Sequence, residues 1–178
     1  MRPKCSQLRR VWRVPLLASL LLGAALPAVP ADSAEVALIF LVRHAEKLTV
    51  QEDPGLSEAG HLRAKELAKL LQDAGIEHIY STDFIRTRDT AAPLANHLGL
   101  AVTIYDWDDL DTLATELKTA GRRSLVVGHS DTTPQLVDML GAEPGPPIDE
   151  QTEYDRLYVV TIAEDGVVTT ELRRYDPP

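Results

Sequence analysis

Arg43 and His44 follow directly on an apolar run at residues 36–42, and Glu46 stands two residues further on. A stretch that reads as a buried strand therefore ends in a cation, an imidazole and a carboxylate. A second histidine, His129, closes another apolar run, "SLVVGH", and a second arginine, Arg86, lies in "STDFIRTRDTA", where a helix is expected to begin. Imidazole can act as nucleophile or proton carrier at neutral pH. Guanidinium forks grip the oxygens of a phosphoryl group in a bidentate way and stay charged at every working pH. Two of each converging on one point would make an anion pocket suited to phosphate. Taken singly, each residue has a plainer reading: a strand-end histidine is more often a hydrogen-bonded structural group, and an arginine after an apolar strand usually faces water. Only their convergence favours chemistry.

Convergence requires particular elements, and the hydrophobic pattern supplies them. Residues 36–42 form an apolar run of strand length, and residues 57–74 carry Ala59, Leu62, Leu67, Leu70, Leu71 and Ala74 at helical spacing before Gly75. Strands are expected at 76–81, 101–106 and 124–129, with helices at 83–98, 110–119 and 133–140. Pro134 suits the first turn of the last helix. Residues 141–156 read as a loop, and two final strand-like segments flank Glu164, Asp165 and Gly166 as a hairpin. The fold class expected is α/β: a three-layer, mostly parallel sheet flanked by helices, with an antiparallel edge hairpin at the C-terminus. In such sheets ligands bind outside the carboxyl ends of the strands. Those ends are Arg43 with His44, Ser81, Asp106, and Gly128 with His129. Arg86, about one turn into its helix, could reach back over that rim. His61 and His97 lack such company and read as surface or capping residues, and His78 as structural. Arg88, two residues from Arg86, should point to another face.

"LVRHAEK", "GLSEAGHLRAKELA", "YSTDFIRTRDTA" and "LVVGHS" occur in the order and at the spacing found in the histidine phosphatase superfamily, with its phosphoglycerate-mutase-like fold. The chain resembles that family over roughly residues 38–140, and the short inter-strand links resemble its compact SixA-type members, which lack a cap insertion. The resemblance implies that Arg43 and His44 match the signature pair, Arg86 the helix-borne arginine and His129 the second histidine. It implies an enzyme, a phosphatase in which His44 attacks phosphorus in line and becomes phosphohistidine, while Arg43, Arg86 and His129 bind the phosphate oxygens. No metal or organic cofactor is expected. The general acid is the open position, because the family's motif after the third strand is not clearly present. Asp106, at the strand end in "YDWDDLD", is the first candidate, and Asp131 and Glu46 are the others.

Two readings from other classes stand beside this one. His44 with Glu46 and His129 with Asp131 form i, i+2 pairs of the kind that can hold a metal in a metal-dependent hydrolase. A non-catalytic phosphoanion-binding protein would need no acid at all.

The chain has 178 residues, enough for one domain with a real core. Arg2, Lys4, Arg9, Arg10 and Arg13 precede an apolar stretch at residues 14–26, and Val29, Pro30 and Ala31 offer small residues for cleavage. Residues 1–31 therefore read as a signal peptide cut after Ala31, and 32–178 as one domain, periplasmic or secreted. An uncleaved anchor is the alternative. Cleavage would remove Cys5, the only cysteine, together with five of the 18 Lys and Arg and none of the 27 Asp and Glu. The remaining net charge of −14 makes nucleic acid or an anionic membrane surface a poor partner. No stable membrane span is expected after cleavage. A phosphorylated small molecule, an envelope glycolipid or a phosphoprotein would be the substrate.

Overall fold

Residue 40 and residue 41 point to opposite sides of a pleated strand, yet both are buried, so the strand that carries them must be covered on both faces. The computed structural model describes residues 35–49 and 52–176; the expected signal peptide lies outside them. The element order is β1 (Glu35–Arg43), α1 (Glu58–Leu71), β2 (His78–Ser81), α2 (Ile85–Leu98), β3 (Val102–Ile104), α3 (Leu110–Ala120), β4 (Arg123–Gly128), α4 (Thr132–Met139), β5 (Arg156–Ala163) and β6 (Val168–Arg174). The sheet runs β3-β2-β4-β1-β5-β6. Its first four strands are parallel, β5 runs antiparallel to β1, and β6 antiparallel to β5.

Ile39, Leu41 and Val126 pack on one face with Leu113 and Leu117 of α3 and Leu136 and Val137 of α4. Phe40, Val42, Leu125 and Val127 pack on the other with Leu67 and Leu71 of α1 and Ala91 and Leu94 of α2. Helix ends are chemically marked: Ser57 accepts from Gly60 N and Asp109 from Thr112 N, and Gly99 and Gly121 take the left-handed conformation that stops α2 and α3. Gly60 has a further reason to be glycine. A Cβ there would stand 2.1 Å from the Glu46 carbonyl oxygen, so α1 lies hard against the segment leaving His44.

Three expectations need correction. Leu62 and Leu70, counted on the apolar face of the first helix, are 45% and 48% exposed; the buried face runs through Gly60, Arg63, Ala64, Leu67 and Leu71. The strand expected at 101–106 is only Val102–Ile104, an edge strand whose one partner is β2. The long link read as a plain loop at 141–156 sends Ala142 and Ile148 into the core and is anchored by Arg156, which donates to the Pro146 and Pro147 carbonyls and to the Glu153 carboxylate. None of the helices among the described residues is long and apolar enough to cross a membrane.

Candidate active site

β1 and β4 are neighbours and parallel, so the residues that follow them emerge side by side. Arg43 is level with Gly128, and the His44 N–H donates to the Gly128 carbonyl at 3.0 Å. The two imidazoles that come next, His44 and His129, lie with ring centroids 5.7 Å apart in an edge-on arrangement. Gly128 is also pressed from the α4 side, where a Cβ would meet Thr133 Oγ1 and Tyr105 OH at 2.9 Å.

The His44 side chain is 3% exposed, and its Nδ1 is 2.7 Å from the Ala45 carbonyl oxygen. A carbonyl can only accept, so Nδ1 carries the hydrogen and Nε2 keeps its lone pair. Burial pushes the ring down to about 3; the Ala45 bond opposes this, and Arg43, Arg86 and His129 add to it. His44 is therefore neutral at physiological pH.

His129 is held by a chain of hydroxyls. The Thr82 hydroxyl donates to Thr87 Oγ1 at 2.9 Å and accepts from His129 Nε2 at 3.0 Å. This leaves His129 Nδ1 to accept from Arg86 Nη2 at 3.5 Å. Burial, then the Arg86 charge, pushes His129 down to about 4, with Asp131 opposing.

Arg86 is the second residue of α2, nearer the start of the helix than expected. It bonds Asp53 at 3.3 Å through Nη1 and stacks over the Phe84 ring at 4.3 Å. Arg43 is 1% exposed and is not among the residues that line the cavity. Nη1 donates to the Asp149 and Glu153 carbonyls at 3.2 and 3.0 Å, and Nη2 to the Glu150 carbonyl at 2.7 Å. Tyr154 covers the guanidinium at 4.0 Å. Among the described residues three buried side-chain polar atoms lack a partner, and two of them are Nε of Arg43 and Nε of Arg86. Buried donors are rarely left unbonded, so both guanidiniums keep capacity for an anion.

The cavity has a volume of about 250 Å3. His44, Arg86 and His129 line it, together with Lys47, Phe84, Trp107, Ser130, Thr132 and the carboxylates of Asp131 and Glu150. Asp106 is absent from that lining; it faces the next groove along and accepts from Asp108 N at 2.9 Å within its own turn. Glu46 turns away from His44 to bond Arg63 at 2.8 to 3.0 Å. Asp131 caps α4 by accepting from Thr132 N at 2.8 Å. The two His/carboxylate pairs thus do not merge, and no group of three or more His, Cys, Asp or Glu among the described residues is placed to hold a metal ion. Lys47, Glu150 and Tyr154 carried no sequence signal, since they come from links whose approach to the rim depends on the tertiary fold. Asp53 and Trp107 likewise belong to links rather than to any periodic element.

Two histidines and Arg86 thus line one cavity at the carboxyl rim of the parallel strands, an arrangement suited to an anion. Residues 39–114 match the histidine phosphatase superfamily (branch 1). Its sequence is 30% identical over 108 residues to probable phosphoglycerate mutase GpmB of Erwinia tasmaniensis, covering 51% of this chain and 50% of that one. The corresponding protein of Escherichia fergusonii is 32% identical over 121 residues, covering 57% and 56%. The chain therefore spans about half the length of the curated relatives it matches. The protein histidine phosphatase SixA complexed with tungstate superposes with a TM-score of 0.61 at 19% identity, over 79% of this chain and 97% of that one. Mycobacterial glucosyl-3-phosphoglycerate phosphatase with inorganic phosphate gives 0.59 at 16%, over 79% and 97%. These two likenesses establish the fold.

Proposed function

We propose that this protein is an exported phosphatase that hydrolyses phosphomonoester or phosphohistidine substrates through a covalent phosphohistidine on His44. One observation carries the reading: His44 is buried, neutral and tautomerically fixed, with its free Nε2 in a cavity that also holds Arg86 and His129. Nε2 attacks phosphorus, the P–O bond to the leaving alcohol breaks, and a proton passes to the departing oxygen. Water then attacks the phosphorus of phosphohistidine and releases inorganic phosphate, restoring His44. Arg86, Arg43 and His129 stabilise the phosphoryl oxygens as charge redistributes. A bound dianion favours the charged imidazole of His129, whose Nδ1–H then donates to it. Asp131 and Glu150 are the carboxylates positioned in the lining to protonate the leaving group.

The test is hydrolysis of an aryl phosphate by the purified protein with EDTA present, followed by acid and base treatment of protein labelled from radioactive substrate. Turnover in EDTA with an acid-labile, base-stable label that His44→Asn does not acquire is the expected result. Activity lost in EDTA and restored by zinc, or tight phosphate binding without turnover, would replace the reading. Export is supported by the basic, apolar and small-residue layout of residues 1–31. Its test is the mass of the protein recovered from the periplasm or medium, with Asp32 as the expected first residue.

A further inference from the structure

Resting on that phosphatase reading, we propose that the groove beside the phosphate cavity is a leaving-group subsite, built to take an uncharged, ring-bearing group stacked on Trp107 and Phe84. The cavity and the groove share these two residues as walls, and Ile104 and Tyr105 continue the groove for about 320 Å3. Phe84 comes from the β2–α2 link and Trp107 from the β3–α3 link, both at the carboxyl ends of parallel strands.

Trp107 and Ile104 are 47% and 46% exposed, although the surrounding link is strongly polar, with Asp106, Asp108 and Asp109. Large apolar side chains left uncovered next to a polar cavity mark a place where a ligand completes the burial. Phe84 is already rigid: its ring meets His129 edge-on at 5.1 Å and lies under the Arg86 guanidinium. The groups that would hold the phosphoryl oxygens therefore fix the surface beside them. Little side-chain freedom is lost when a ring docks on it.

Charge narrows the class further. Asp83 and Asp106 line the groove; Asp83 is paired with Arg88, whereas Asp106 has only the backbone bond of its own turn among the contacts described. In the cavity, Lys47 faces Glu150 at 4.0 Å. A leaving group with its own carboxylate or second phosphate would meet Asp106 as a like charge, and a neutral ring would not. The shared chemistry is a ring face, either aromatic or saturated as in a sugar.

Non-hydrolysable phosphonates separate this proposal from the phosphatase reading. Binding of methylphosphonate, benzylphosphonate, cyclohexylmethylphosphonate and phosphonoacetate is measured by calorimetry on the native protein and on Trp107→Ala, with circular dichroism to show that the variant is folded. A ring ligand should bind about 3-fold to 10-fold tighter than methylphosphonate, the range expected for an aromatic contact. The ratio should fall below about 2-fold in Trp107→Ala, and phosphonoacetate should bind more weakly than methylphosphonate. Preference for benzyl over cyclohexylmethyl identifies an aromatic group, and the reverse preference a saturated one. Equal binding of ring and methyl ligands, or a ring advantage that survives in Trp107→Ala, overturns the subsite and leaves the phosphate site standing. A dimer that Trp107→Ala dissolves would reassign the groove to a subunit contact. Failure of every phosphonate to bind would remove the phosphatase reading itself.

Discussion

Arg43 and Arg63 are both buried guanidiniums, 1% and 8% exposed, and they are satisfied in opposite ways. Arg63 has acidic partners: it makes a bidentate pair with Glu46, lies 3.6 Å from Asp176 and donates to the Tyr175 carbonyl at 2.7 Å. Burial alone would lower its pKa, but the Glu46 bond and charge more than offset that, and the net shift is upward. Among the described residues no carboxylate is hydrogen-bonded to Arg43. Its bonds go to three backbone carbonyls and a tyrosine face, its Nε has no partner, and burial carries it downward. A buried cation with its counter-charge in place is structural. One bonded to carbonyls, with Glu150 acting on it only through its charge, is available to an incoming anion.

The sharpest challenge to this contrast is removal of the nucleophile on which it depends. His44→Ala should lower kcat for an aryl phosphate by at least about 10³-fold with unchanged circular dichroism. Residual activity close to native would mean that Arg43 and Arg86 serve some other centre. Arg43→Ala should cost about 10²-fold to 10³-fold in kcat/KM, the scale for losing one phosphoryl donor, whereas Arg63→Ala should leave kcat/KM within severalfold of native. Equal losses would erase the distinction between the two arginines.

Stability should show the reverse. Inorganic phosphate or vanadate at about 100 times its Kd should stabilise the native protein by about 2.7 kcal/mol, seen as a rise in Tm, and this gain should vanish in Arg43→Ala while persisting in Arg63→Ala. Arg63→Ala should itself lower stability by about 1 to 3 kcal/mol in urea unfolding, below the cost for a fully buried pair because Glu46 is partly exposed. A further test of stability is its pH dependence. His44 and His129, lowered to about 3 and about 4, bind protons more readily in the unfolded chain, whose histidines titrate near about 6.5. Their contribution is intact above that value, declines as pH falls and levels off near the folded values. In His129→Asn the decline between about pH 6.5 and 4 should be shallower than in the native protein.

Much of the scaffold was legible because it rests on periodicity and punctuation. The apolar run before Arg43 could be buried on both faces only as an interior strand, and Gly99 and Gly121 close their helices where the left-handed turn is needed. His44, Arg86 and His129 were legible for a related reason: the carboxyl ends of parallel strands share one rim, so residues 43 and 85 positions apart in sequence still meet. Asp106 was misplaced by the same logic, because a strand end on the edge of the sheet is displaced from the centre of the rim where β1 and β4 lie.

The local pattern of apolar, capping and glycine residues thus determined a parallel sheet with His44 and His129 at its rim, since each signal acts within a few residues of itself. The tertiary structure decided which charges are paired and which are waiting. Arg43 and Arg63 look alike in sequence, and only the paths of the 149–154 link, of the segment leaving β1 and of the segment after β6 give one of them carbonyls and the other carboxylates. Coulombic pairing and burial depend on three-dimensional distance and on water exclusion, quantities that no short stretch of chain contains.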